Sequence, residues 1–226
     1  MKSIRSRDNP FYKDLARISG SARHRSKSGL TLIDGAHLLA AYLDCGNRPR
    51  HILLNAAAAE DDEITRLLQQ AVDVPIAELE EKLFGGISEL KTPGGIMALI
   101  DIPLPQATIA DSRFAVFLED IQDPGNLGSM LRSAAAAGCD SVFLSGGCAD
   151  AWSPKVLRAA MGGHFALCIH ERQDLPDVAN SFDGARFAAS LRAPASLYDC
   201  DLRGKIAFLI GNEGAGAGGG CGCGDV

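Results

Sequence analysis

One stretch constrains this chain more than any other: FLEDIQDPGNLGSMLRSA, residues 117–134. It opens as an apolar run that reads as a buried strand. The Asp123-Pro124-Gly125-Asn126 turn ends that run, since proline cannot donate to a sheet ladder and its fixed φ suits a helix start. Leu127, Met130, Leu131 and Ala134 then recur at helical spacing, which predicts a helix over 125–137 carrying Arg132. A second apolar run, residues 206–210, leads into another turn, GNEGAG, at 211–216. Two strand-to-loop junctions of this kind predict an open α/β sheet whose ligand site lies outside the carboxyl ends of its strands.

The other runs extend the same pattern. Strands are expected at 30–33, 51–54, 72–76 and 96–100, with helices at 35–44 (capped by Asp34), 60–70 and 78–84. A second set of strands is expected at 114–118, 141–144, 166–169, 187–191 and 206–210. Its helices are 125–137, 154–161 behind an N-capping Ser153, and 175–180. The later strands are continuous apolar runs, as parallel strands buried on both faces should be. Pro103 and Pro105 resist helix and sheet pairing alike and mark a linker. The expected divisions are a basic arm (1–29), a small α/β/α domain (30–101), a linker (102–112), a larger α/β domain (113–214) and a low-complexity tail (215–226). That tail, nearly all glycine, alanine and cysteine, offers no side chains for a core and is expected to be disordered.

At 226 residues the chain can bury a substantial core. It has no apolar run near the roughly 18 residues of a membrane span, and its opening residues lack the apolar core of a secretory signal. A cytoplasmic protein without membrane contact is expected. Seven cysteines form no Cys-x-x-Cys pair, and five histidines show no ligand spacing, so free thiols and no metal are expected. The net charge of −6 argues against indiscriminate binding to polyanions, yet residues 1–50 hold ten Lys/Arg against four acids. A basic arm on an acidic body suits contact with phosphates at one place, and a solvated, partly mobile tail suits the same pattern. Arg5, Arg7, Lys13, Arg23, Arg25 and Lys27 are the candidate nucleic-acid contacts.

The first junction has the chemistry for a ribose–phosphate. Asn126 lies where helix N–H groups favour anions, and Arg132 carries a fork that can grip phosphate with two bonds. An ordinary cap and a surface arginine fit the same spacing. In the second junction Gly211 and its neighbours let backbone approach a ligand closely, and Glu213 can accept from a hydroxyl or amine. Neither junction has the glycine spacing of a dinucleotide fold or a phosphate-cradling loop. Ser145-Gly146-Gly147 lacks the flanks of a nucleophile elbow.

Taken together these motifs resemble the SpoU/TrmH family of RNA ribose methyltransferases. IRSRDNPFYKD (4–14) is similar to that family's opening element, and LTLIDGAHLL (30–39) to the start of its substrate-binding domain. Residues 117–134 resemble its first motif and AFLIGNEG (207–214) its second. The resemblance implies transfer of a methyl group from S-adenosylmethionine to a ribose 2′-hydroxyl of ribosomal or transfer RNA. It implies a knotted α/β (SPOUT) catalytic domain working as a homodimer. It makes Arg132, Asn126 and Glu213 the catalytic set, with Arg132 positioning the nucleotide, because a guanidinium keeps its proton near neutrality. Ser190, Leu191, Ile210, Gly211, Asn212, Gly214 and Gly216 would wall the cofactor pocket. The family's third motif, an Ile-Pro-Met strand and a Ser-Leu-Asn turn, has no counterpart in AGAGGGCGCGDV. The expectation is therefore an incomplete knot segment, and the alternative is an RNA-binding protein of this fold that has lost cofactor binding. An unrelated α/β protein binding a small nucleotide is the third reading.

Overall fold

The computed structural model describes residues 2–190 and 196–211 and the backbone of 224–225, the side chains of residues 59 and 60 apart. The chain divides into two compact units. The first is Met1–Pro103 with Trp152–Phe165, and the second is Leu104–Ala151 with Ala166–Val226.

The first unit opens with β1 (Lys2–Ile4), α1 (Pro10–Gly20), α2 (Ala22–Ser28) and β2 (Leu30–Asp34). It continues with α3 (Ala36–Asp44), β3 (His51–Leu54), α4 (Asp62–Gln70), β4 (Ile76–Leu79), α5 (Glu81–Gly85) and β5 (Ile96–Asp101). The strand order is β1-β4-β3-β5-β2. β1, β4 and β3 run parallel, while β5 is antiparallel to both β3 and β2. The stretch expected to be a basic arm, residues 1–29, holds β1, α1 and α2. Asn9 caps α1 by accepting the N–H groups of Phe11 and Tyr12, Pro10 fills its first turn, and Tyr12, Leu15 and Ile18 make a buried stripe. That stripe and Ile4 pack with Leu79, Leu83 and Phe84 in the core of the unit. The charges on the outer face hide this apolar spacing when composition alone is read.

Two local expectations change. The strand expected at 72–76 lies at Ile76–Leu79: Val72 is 76% exposed, whereas Ala77 and Leu79 are buried between β1 and β3. Asp34 does not cap α3. It ends β2 opposite Met97, its carboxylate accepts from Ser88 Oγ at 2.5 Å, and Gly35 takes the cap position at φ 106. Burial raises the Asp34 carboxyl above its ordinary value, opposed by the Ser88 bond and the Arg158 charge.

The second unit holds β6 (Phe114–Leu118), α6 (Pro124–Ala136) and β7 (Ser141–Ser145). The chain then forms α7 (Pro154–Ala160), followed by β8 (Cys168–Gln173), α8 (Leu175–Asn180), β9 (Ala185–Ala188), β10 (Ile206–Ile210) and a short β11 (Gly224–Asp225). The order is β11-β9-β10-β6-β7-β8 and every pair is parallel. Phe117, Phe143, Phe182, Ala207 and Leu209 form a core on this sheet. The strand expected at 166–169 starts at Cys168, after a 3-10 turn at Gly163–Ala166, and that expected at 187–191 is Ala185–Ala188. In the expected tail, Gly224–Asp225 pairs with β9, for backbone ladders ask little of side chains.

Helix α7, read from the sequence as part of the second domain, belongs to the first unit. Thr31 Oγ1 of β2 donates to the Trp152 carbonyl at 2.6 Å in a buried setting, and Phe165 meets Tyr42 edge-on at 5.1 Å. An apolar helix face joins whichever sheet it reaches, and sequence proximity does not specify which.

Candidate active site

The carboxyl ends of β9, β10 and β6 lie next to one another. Leu209 is in register with Ala188, and Ile210 with Leu118. Just past the ladder, Ala189 N–H donates to Leu209 O and Glu119 N–H to Ile210 O, each at 2.9 Å. Ser190, Gly211 and Glu119 therefore leave three successive strands side by side. From β6 the chain builds outward through β7 and β8, then returns on the opposite side with β9 and β10. This reversal is the switch point at which open α/β sheets hold ligands.

Helix α6 rises from that edge. Asp123 caps it by accepting the Asn126 N–H at 2.8 Å, and Pro124 fills its first turn. Leu127, Leu131 and Ala134 are buried, which leaves Asn126 and Arg132 on the exposed side. Six residues advance a helix by about 9 Å, so Arg132 stands less than two turns along α6 from Asn126. The second junction is described only at its root. Ile210 and Gly211 are half-buried and Ser190 is exposed, while Leu191, Asn212, Glu213, Gly214 and Gly216 lie outside the described residues.

Sequence reasoning passed over three residues at this edge. Asp120 has φ 54, and its carboxylate accepts from Ser145 Oγ at 2.7 Å. Cys148 Sγ accepts the Ile121 N–H at 3.4 Å. The signal available was the small-residue run Ser145-Gly146-Gly147 directly after a strand, where loops approach closely.

In the first unit, Arg5, Arg7, Lys13, Arg23 and Lys27 are exposed. Lys13 pairs with Asp8 at 2.9 Å. Arg25 is a correction: it is buried, and its guanidinium donates to the Ile18 and Ser19 carbonyls at 2.6 and 2.7 Å. These are the last carbonyls of α1, which lack partners within that helix. A side chain so placed holds α1 and α2 together and cannot meet a phosphate. Among the described residues no cluster of His, Cys, Asp or Glu is placed to hold a metal, and no helix is long and apolar enough to cross a membrane.

Residues 113–219 match the SpoU rRNA Methylase family, and residues 9–98 match the MRM3-like substrate binding domain. The 23S rRNA (guanosine(2553)-2′-O)-methyltransferase RlmP of Bacillus subtilis is 32% identical over 218 residues, covering 95% of this chain and 84% of that protein. The chain belongs to the SpoU rRNA methylase family. A second member, rRNA methyltransferase 3A, mitochondrial, of Danio rerio, is 37% identical over 174 residues, and the aligned part is 73% of this chain but 39% of that protein. The AdoMet-bound rRNA methyltransferase from Sinorhizobium meliloti superposes with a TM-score of 0.81 over 100% of this chain and 88% of that one; at 22% identity it speaks to the fold. The SpoU match spans both junctions, and the substrate-domain match begins within the stretch expected to be an arm.

Proposed function

We propose that this SpoU family chain methylates a ribose 2′-hydroxyl of ribosomal RNA, using S-adenosylmethionine. The adjacency of β6 and β10 carries the reading, for it roots both family motifs at neighbouring strand ends on the switch-point edge. The described part of that edge suits an adenosine-bearing ligand: Ala188, Leu209 and Leu118 are buried beneath it, and the chain at Ser190 and Gly211 turns off the sheet with main-chain groups beyond the ladder. Ser190, Ile210 and Gly211 would hold the cofactor there, with Leu191, Asn212, Gly214 and Gly216. When bound, S-adenosylmethionine would supply an electrophilic methyl group from its sulfonium for the ribose 2′-oxygen, with the hydroxyl proton passing to solvent.

The chain's own residues position and stabilise. Arg132 grips the phosphate of the target nucleotide and steadies negative charge growing on the 2′-oxygen. Asn126 offers one donor and one acceptor to orient the ribose, and Glu213 organises the second loop. Arg5, Arg7, Lys13, Arg23 and Lys27 draw in RNA phosphates. A cytoplasmic homodimer with residues 2–103 acting in RNA binding completes the proposal, and sedimentation at micromolar concentration reads the dimer directly.

The experiment is methylation of ribosomal RNA with methyl-labelled S-adenosylmethionine, followed by digestion to nucleosides. The expected product is a 2′-O-methylnucleoside. Arg132→Ala should cut transfer by about 100-fold or more while the circular dichroism spectrum is retained. Near-parental turnover in that variant, or label on a base, would refute the assignment.

A further inference from the structure

The loops that follow β6 and β7 are tied to each other. Ser145 Oγ donates to Asp120 Oδ1 at 2.7 Å and accepts the N–H groups of Asp120 at 2.9 Å and Gly147 at 3.3 Å. Cys148 Sγ donates to Leu118 O at 3.2 Å and accepts the Ile121 N–H at 3.4 Å. Ala149 N–H closes the seam by donating to Ile121 O at 2.9 Å. One hydroxyl thus serves both loops.

The seam carries strain at one point. Asp120 sits at φ 54, a left-handed conformation that aspartate tolerates better than most residues but does not prefer. Such a residue persists when its surroundings over-determine it. Here the determinant is the paired bond of Asp120 with Ser145, through its N–H and through its carboxylate. Gly147 leaves the room: a Cβ there would collide with the Asp120 carboxylate. Three residues beyond Asp120, Asp123 caps α6 and fixes the Asn126 N–H.

We infer that Ser145, acting through Asp120, is a positioning residue for methyl transfer: it holds the 119–123 turn from which Asn126 and Arg132 are aimed. Its catalytic consequence rests on the proposed function. The same loop runs on through Ala151 to Trp152, where the chain enters the first unit.

The test compares Ser145→Ala, Ser145→Thr and Gly147→Ala in the full chain, by amide hydrogen exchange and by turnover on ribosomal RNA. In Ser145→Ala, exchange at Asp120 and Ile121 should quicken about tenfold or more while central β6 and β7 amides hold their rates. The turnover number should fall about tenfold or more with KM for RNA within roughly twofold, the mark of lost alignment rather than lost binding. Ser145→Thr keeps the hydroxyl and should recover most of both. Gly147→Ala keeps every hydroxyl yet displaces the carboxylate, and should reproduce the loss. Unchanged exchange at Asp120 and Ile121 in both Ser145→Ala and Gly147→Ala overturns the inference, as does parental turnover in both. A parent with no turnover on ribosomal RNA counts against the proposed function instead, and the exchange rates still decide whether Ser145 holds the turn.

Discussion

Arg23 and Arg25 stand two positions apart on a seven-residue helix and meet opposite surroundings. Arg25→Ala strips two carbonyls of their partner, so a loss of about 1–3 kcal/mol is expected in urea unfolding, with the fall in RNA affinity no larger than unfolding explains. Arg23→Ala should leave the unfolding midpoint in place, weaken RNA binding and flatten its salt dependence by about one charge. If the two variants exchange these phenotypes, the basic surface has been assigned wrongly. Asp34 offers a pH test. Its carboxyl is raised from an ordinary 3.8, so the native state holds the proton more firmly than the unfolded chain. That advantage is complete in acid and is lost as pH rises through the folded value, leaving a half-buried charge above it. Asp34→Asn should therefore raise the melting temperature at pH 7.5 by about 2–4 °C, the shift expected for roughly 1 kcal/mol in a chain of this size. The gain should shrink as pH approaches 4, and a gain equal at all pH values would contradict the burial argument. Burial was not legible in either residue, because Arg25 looks like its exposed neighbours and Asp34 looks like an ordinary cap.

At the scale of elements, local chemistry was mostly readable. Ser153 and Pro154 open α7 where their spacing predicts, and the strand at Ile206–Ile210 matches its apolar run. β4 was misplaced because Val72 and Val74 raise apparent strand propensity within a turn, while Ile76–Leu79 earns its strand from pairing on both sides. Helix α6 depends on its cap. Asp123→Ala should destabilise the chain by about 1 kcal/mol and loosen the first turn, where Asn126 sits. Measured by thermal unfolding and turnover, the expected pattern is a small loss of stability with a larger loss of rate. Equal fractional losses would mean that the cap matters only to folding.

At the scale of the molecule, the chain crosses between its two units three times, after Pro103, after Ala151 and after Phe165. The first unit is therefore discontinuous, and a fragment ending at residue 103 should lack the partner of Thr31 and the apolar face of α7. Such a fragment should unfold at lower urea than the first unit of the full chain, or show no cooperative transition at all. A fragment with the stability of the full chain would remove α7 from that fold. The two family motifs, the parallel α/β class and the position of the candidate catalytic helix followed from the sequence, because strand period, turn residues and helix caps act over a few neighbours. Strand order, the burial of Arg25, the return of α7 to the first unit and the Ser145–Asp120 seam were decided only in three dimensions. Each depends on which distant surface a segment meets, and pairing energy between distant segments leaves no mark in the local spacing of either one.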